Sequence, residues 1–155
     1  MKKNLKSVYF FGIIFLIVDQ ALKILVEQKM ILNQTIVVIK NFFSITLVHN
    51  LGAAFSILMG NRIFLILVGI IALILISLYI RKIEEFNDYD VFTYSLLLGG
   101  ILGNLLDRII HGYVIDYLNF NIFNYNFPIF NFADVCIVVS VILIFIKAIR
   151  EDVWK

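Results

Sequence analysis

Charge is scarce in this chain. Only 15% of its 155 residues are Asp, Glu, Lys or Arg, where a soluble domain carries about 25%. With 62% hydrophobic residues and a mean hydropathy of +0.99, the composition excludes an ordinary soluble domain and indicates an integral membrane protein. The net charge is only +2, and no basic stripe interleaved with aromatics appears, so a nucleic-acid partner is not expected. One cysteine, Cys136, excludes an internal disulfide. It sits among Val135, Ile137 and Val138, the setting of an inert buried thiol. The two histidines, His49 and His111, lack H-E-x-x-H spacing, and one cysteine cannot build a structural zinc site. No metal or other cofactor is expected. A P-loop and a G-x-S-x-G nucleophile elbow are both missing. The only proline, Pro128, stops helix formation just before the last apolar run.

What is present is a set of membrane-length apolar segments. Crossing the hydrocarbon core takes about 20 such residues. The candidates are Val8–Val26, interrupted by Asp19 and Lys23; Ile63–Ile80, free of charge; Val91–Ile110, with Gly99, Gly100 and Gly103 inside; and Asp134–Ile149, short and β-branched. The start resembles the front of a signal peptide, but no small-x-small cleavage site follows, so it reads as a retained first span. Residues 1–155 are expected to form one membrane domain. Lys2, Lys3, Lys6, Arg81, Lys82, Lys147, Arg150 and Lys155 place both termini and the Arg81–Asp90 loop in the cytoplasm. The segments of about Glu27–Arg62 and His111–Ala133 then face outward. Thr35–Ile39 and Phe42–Val48 are rich in β-branched and aromatic residues and predict short strands. Tyr117, Phe120, Phe123, Tyr125, Phe127 and Phe130 predict an aromatic loop at headgroup level. The expected fold is an all-α membrane protein of four transmembrane helices, with a small extracytoplasmic β-sheet and an outer aromatic loop.

The polar residues kept beside these spans carry the functional information, because carboxylates are expensive near hydrocarbon. Asp19 and Lys23 are i, i+4 and can pair. Asn104, Asp107, Arg108 and His111 share one helix face, on which Arg108 either snorkels and pairs with Asp107 or holds a substrate or catalytic group. Asn131 can cap the fourth helix with Asp134 at N3, where a carboxylate suits the helix dipole. Capping does not explain Asp116, which arrives in the apolar stretch Val114-Ile115-Asp116-Tyr117. Two carboxylates held close in a poorly solvated site can split their pKa values and share a proton. His49-Asn50-Leu51-Gly52-Ala53-Ala54-Phe55 is a tight turn whose glycine lets backbone approach a ligand.

These residues fall in register. Asp19-Gln20-x-x-Lys23, Asn50-x-Gly52-Ala53-Ala54-Phe55, Gly103-Asn104-x-x-Asp107-Arg108, Gly112-x-Val114-x-Asp116-Tyr117 and Phe130-Asn131-x-Ala133-Asp134 occur in one order, each at the expected span. From about Val8 to Ile149 the chain resembles the bacterial lipoprotein signal peptidases, or signal peptidase II. That resemblance implies an aspartic endopeptidase of the cytoplasmic membrane, cutting prolipoproteins just before a diacylglyceryl-modified cysteine. It implies Asp116 and Asp134 as the catalytic pair. Asp19, Lys23, Asn50, Gly52, Asn104, Arg108 and Asn131 would then support substrate and site. Membrane lipid and the prolipoprotein are the expected partners, a monomer the expected state, and the outer leaflet side the expected place of the site. Tyr117 and Val135 depart from the family pattern, which more often has Phe and a small polar residue there. A small carrier would also keep charges in its spans, but it predicts them near the midplane, often with inverted repeats. A structural subunit would need no pair of aspartates flanking one loop.

Overall fold

The computed structural model describes residues 5–52 and 60–153. The element order is α1 (Leu5–Lys29), β1 (Thr35–Ile39), β2 (Phe43–Asn50), α2 (Arg62–Arg81), α3 (Asp88–Ile110), β3 (Val114–Ile122), β4 (Tyr125–Asn126) and α4 (Phe132–Val153). All four helices are long and apolar enough to cross a membrane. The 20-residue α2 alone is about 30 Å long.

Helix α3 is the centre of the bundle and packs against the other three. Its position follows from its glycines. A Cβ at Gly99 would lie 2.8 Å from the Gly12 carbonyl of α1, and one at Gly100 would lie 2.6 Å from the Ala133 carbonyl of α4. Only hydrogen at these positions lets three backbones converge. Away from the sheet, Val8, Ile80, Phe86, Val91, Tyr94 and Leu98 form an apolar cluster that locks the helices together.

The helix starts are specified by side chains. Asn87 accepts a hydrogen bond from the Asp90 amide at 2.8 Å, and the Asp90 carboxylate accepts one from the Asn87 amide, a capping box for α3. Asn131 and Asp134 repeat this geometry at α4, at 3.0 and 3.1 Å. Asp134 is therefore at N3, where the spacing puts it.

One antiparallel sheet of order β1-β2-β3-β4 sits at one end of the bundle. Strands β1 and β2 lie where β-branched residues predict them. The second outer segment is more ordered than an aromatic loop: it supplies β3 and β4. Strand β3 pairs with β2, Val48 opposite Asp116 and Asn50 opposite Val114. The Phe123-Asn124 turn, with both residues at positive φ, joins β3 to β4. The chain then doubles back so that Leu118 and Phe130 exchange backbone hydrogen bonds at 2.7 and 3.1 Å. Alternation does not reveal β3 because Val114, Ile115, Asp116 and Tyr117 are all buried, so neither face of the strand stands out as exposed.

Candidate active site

Four elements bring the site together, with Asn50 at the end of β2. Asp116 rides on β3, Asp134 on the first turn of α4, and Asn104 and Arg108 on the last turns of α3. The doubled-back segment ending at Phe130 delivers Asn131 between the two aspartates. The Asn131 amide donates to Asp116 Oδ1 at 2.7 Å, and its backbone N–H donates to Asp134 Oδ2 at 3.1 Å. Asn50 donates to Asp116 Oδ2 at 2.8 Å, and Asn104 donates to Asp134 Oδ1 at 2.7 Å. Each of the four carboxylate oxygens thus receives one neutral donor.

Both aspartates line a cavity of about 530 Å³, within the usual range for a small-ligand site. Asn50, Asn104 and Arg108 share its polar end, while Phe127, Pro128, Ile129 and the α4 residues Val135, Val138 and Val139 make the rest apolar. The Arg108 guanidinium is fixed by its donors, Nη2 to the Gly52 carbonyl at 3.1 Å and Nη1 to the Asn104 carbonyl at 3.2 Å. Burial pushes the Asp116 carboxyl up to about 7; the Asp134 charge adds to the rise, and the Asn50 and Asn131 hydrogen bonds oppose it. Asp116 is therefore able to hold a proton near neutral pH.

A second cluster lies behind Asn104. Lys23 Nζ sits 2.8 Å from Asp19 Oδ2 and 2.8 Å from Asp107 Oδ2, and 3.1 Å from Asn104 Oδ1. Asp19, Lys23 and Asp107 are all buried. The remaining valences are filled: Asp19 accepts from the Ala133 amide at 2.9 Å, and Asp107 accepts from Ile115 N at 3.1 Å and Gln20 at 2.8 Å. Such satisfaction is what a buried charge requires.

The family model for "Signal peptidase (SPase) II" matches residues 11–150. The chain is 38% identical to the lipoprotein signal peptidase of Staphylococcus haemolyticus, over 90% of this chain and 89% of that one. It is 40% identical to the corresponding protein of Symbiobacterium thermophilum, over 91% and 93%. This chain belongs to the signal peptidase II family. A solved bacterial membrane enzyme superposes on this peptidase with a TM-score of 0.91 at 35% identity, covering 99% of this chain and 94% of that one. A second such structure superposes with a TM-score of 0.84 at 36% identity, over 95% of both chains. The protein is thus a protease of a multi-span bacterial membrane family, with four apolar helices and a small antiparallel sheet.

The structure separates residues that spacing alone grouped. Asp107 pairs with Lys23 of α1, not with Arg108, because the helix turns Asp107 into the bundle and Arg108 toward the cavity. His111 ends exposed at the C-cap of α3, its backbone N–H on the Asp107 carbonyl, and does not line the cavity. Asn50, Asn104, Arg108, Asp116 and Asp134 meet at the cavity, Gly52 contributes its carbonyl to Arg108, and Asn131, Asp19 and Lys23 stand behind the lining. Ala53, Ala54 and Phe55 lie outside the described residues. Spacing gave two residues no role of their own: Gln20, within the Asp19-Gln20-x-x-Lys23 motif, and Arg62, at the end of the first outer segment. Arg62 donates to the Arg108 and Ile109 carbonyls, each at 2.8 Å, and so caps the end of α3 that carries Arg108. Only a fold that folds α2 back onto α3 could reveal that contact.

Proposed function

We propose that this peptidase removes the signal peptide from prolipoproteins by aspartic catalysis, cutting just before a diacylglyceryl-modified cysteine. One observation carries the reading: Asn131 touches both Asp116 and Asp134 at the polar end of a cavity whose other end is apolar. Asp134 acts as the base and Asp116 as the acid. The Asp134 carboxylate takes a proton from water, and the water oxygen attacks the scissile carbonyl carbon. The carbonyl oxygen receives the Asp116 proton, giving a tetrahedral diol. The C–N bond then breaks: the departing amine takes the proton held by Asp134, while one diol hydroxyl re-forms the C=O and returns its proton to Asp116, leaving a carboxylic acid and the starting protonation of the pair. The position of Asp134 in the first turn of α4 supports its role as the ionised member.

Val135, Val138 and Val139 extend the cavity down the lipid-facing side of α4, which suits the acyl chains of such a substrate. Arg108, held at the carbonyl of Gly52, suits recognition of substrate backbone or headgroup oxygens. The Lys and Arg distribution supports cytoplasmic termini and a site at the outer leaflet of the cytoplasmic membrane. The enzyme acts as a monomer, as a single domain.

The test is cleavage of a diacylglyceryl-modified prolipoprotein by the purified protein in detergent or nanodiscs. Asp116→Asn and Asp134→Asn should each abolish cleavage while the protein remains folded. The double variant should be little worse than either single one, because the two act as a unit. Wild-type cleavage by either single variant would refute the dyad. Product mass identifies the bond, and a cut away from the lipidated cysteine would refute the substrate assignment.

A further inference from the structure

The three amides that surround the aspartates are all held in one orientation, and each is held by a group that can only donate. The Asn50 carbonyl oxygen accepts from Gly52 N–H at 2.9 Å, and that of Asn131 accepts from Asp134 N–H at 3.0 Å. The Asn104 carbonyl oxygen accepts from Lys23 Nζ at 3.1 Å, and also from the Asn131 amide at 3.1 Å. With its oxygen engaged, each amide must present its NH₂ to a carboxylate. Two of these anchors are backbone. The third is a buried side chain from α1 that makes no hydrogen bond with either aspartate.

We infer that Lys23 is a positioning residue for the dyad: it holds the Asn104 amide so that an N–H, and not a carbonyl, faces Asp134. The inference rests on the aspartic reading given above. An ammonium cannot accept a hydrogen bond, so this orientation is the only one that satisfies Lys23. Asp19 and Asp107 fix the ammonium in turn, each at 2.8 Å. Through Ala133 N–H and Ile115 N–H they also tie down the two backbones that carry Asp134 and Asp116. Without Lys23 the Asn104 oxygen keeps one anchor in place of two, the Asn131 amide, and the turn of its carbonyl toward Asp134 becomes easier. A carbonyl there bonds only a protonated carboxyl, so the base loses its resting state.

The charged and titratable groups around the dyad are Asp19 and Lys23 on α1, Asp107 and Arg108 on α3, Tyr117 on β3 and Cys136 on α4. Lys23 is the member whose removal alters both carboxyls. It favours the ionised form of Asp116 through space and acts on Asp134 through Asn104. Both limbs of the pH–rate profile should therefore move to higher pH when it is lost.

The experiment compares Lys23→Met, Lys23→Met/Asp107→Asn and Asp107→Asn with wild type in the prolipoprotein cleavage assay. The double variant removes one charge of each sign, so it tests the proposal even where Lys23→Met does not fold. Both Lys23 variants should lose kcat by about tenfold or more with KM nearly unchanged, and both limbs should rise by about half a pH unit or more. Asp107→Asn loosens one of the two carboxylates on Lys23 but leaves Asp19 to hold the ammonium against Asn104, so it should lower kcat with its limbs moved less than in the Lys23 variants. Unmoved limbs in a folded Lys23→Met/Asp107→Asn protein overturn the proposal, as does an equal shift in Asp107→Asn. Asp116→Asn is run beside them. If it cleaves, the dyad reading falls and this inference with it; if it is inert while the Lys23 limbs stay put, this inference alone falls.

Discussion

Two helices of this protein begin with the same four-residue pattern and use it for different ends. Asn87-Asp88-Tyr89-Asp90 opens α3, and Asn131-Phe132-Ala133-Asp134 opens α4. Both form a reciprocal capping box, at 2.8 and 3.5 Å at α3 and at 3.0 and 3.1 Å at α4. The boxes differ in what meets the carboxylate. At α3, Lys147 of α4 lies 2.6 Å from Asp90 Oδ1, so the charge is neutralised and braces two helices. At α4, Asp134 meets the neutral amide of Asn104 and lines an open cavity beside Asp116. Local sequence therefore places a carboxylate at a helix start, but its partner decides whether it is a brace or a reagent.

The largest test of this contrast makes the same substitution in both boxes. Asp134→Asn should lower kcat by at least about 10³-fold. Asp90→Asn should leave cleavage per folded molecule nearly unchanged and lower stability by about 1–2 kcal/mol, discounted because Lys147 is partly exposed. Cleavage and thermal unfolding of the two variants check this. A folded but inert Asp90→Asn would erase the distinction.

A pH difference sharpens the contrast next. The folded Asp116 carboxyl titrates at about 7, above its ordinary 3.8. Its raised value means the fold prefers the protonated acid. That contribution is complete below the unfolded value and is lost as pH rises through about 7. Wild type should therefore melt at lower temperature at about pH 8.5 than at about pH 5.5, and Asp116→Asn should flatten the dependence. Asp90→Asn should leave the slope as it is.

The floor beneath the second box gives a smaller effect. Gly100→Ala would drive a Cβ into the Ala133 carbonyl, inside the first turn of α4. It should cost about 1–3 kcal/mol of stability and lower cleavage with it. Gly69→Ala, on α2, meets only the flexible end of Leu105 at 3.2 Å and should be near neutral. Equal effects would mean that α4 relaxes freely around its box.

Tyr117→Phe is the mildest change. The Tyr117 hydroxyl is buried and makes no well-formed hydrogen bond among the described residues, only a loose approach to the Phe132 backbone. Removing it should keep cleavage and raise stability by up to about 1 kcal/mol. A loss of activity in the Phe variant would show that the hydroxyl serves the dyad, a role nothing at the α3 box has.

Much of this was legible in the chain. Membrane-length apolar runs do not depend on context, so the four helices follow from hydrophobicity alone. The Asn131–Asp134 box and the Asp19–Lys23 pair are local contacts, set by helical spacing, and they form as spacing predicts. Strand β3 was hidden because a strand buried on both faces loses its alternation. The partner of Asp107 was hidden because a helix face names directions but not neighbours: α1 supplied Lys23, and Arg108 turned to Gly52.

The sequence by itself determined which residues could be reactive, since few polar groups sit in so apolar a chain and each carries a cost that must be met. Only the tertiary structure decided which of them meet. Asp116 and Asp134 lie on a strand and a helix, and it takes the doubled-back segment at Phe130 to bring Asn131 against both. Covalent spacing sets contacts within a few residues, whereas the pairing of distant carboxylates, amides and ammonium is set by how the α3 glycines let the backbones of α1, α3 and α4 pack.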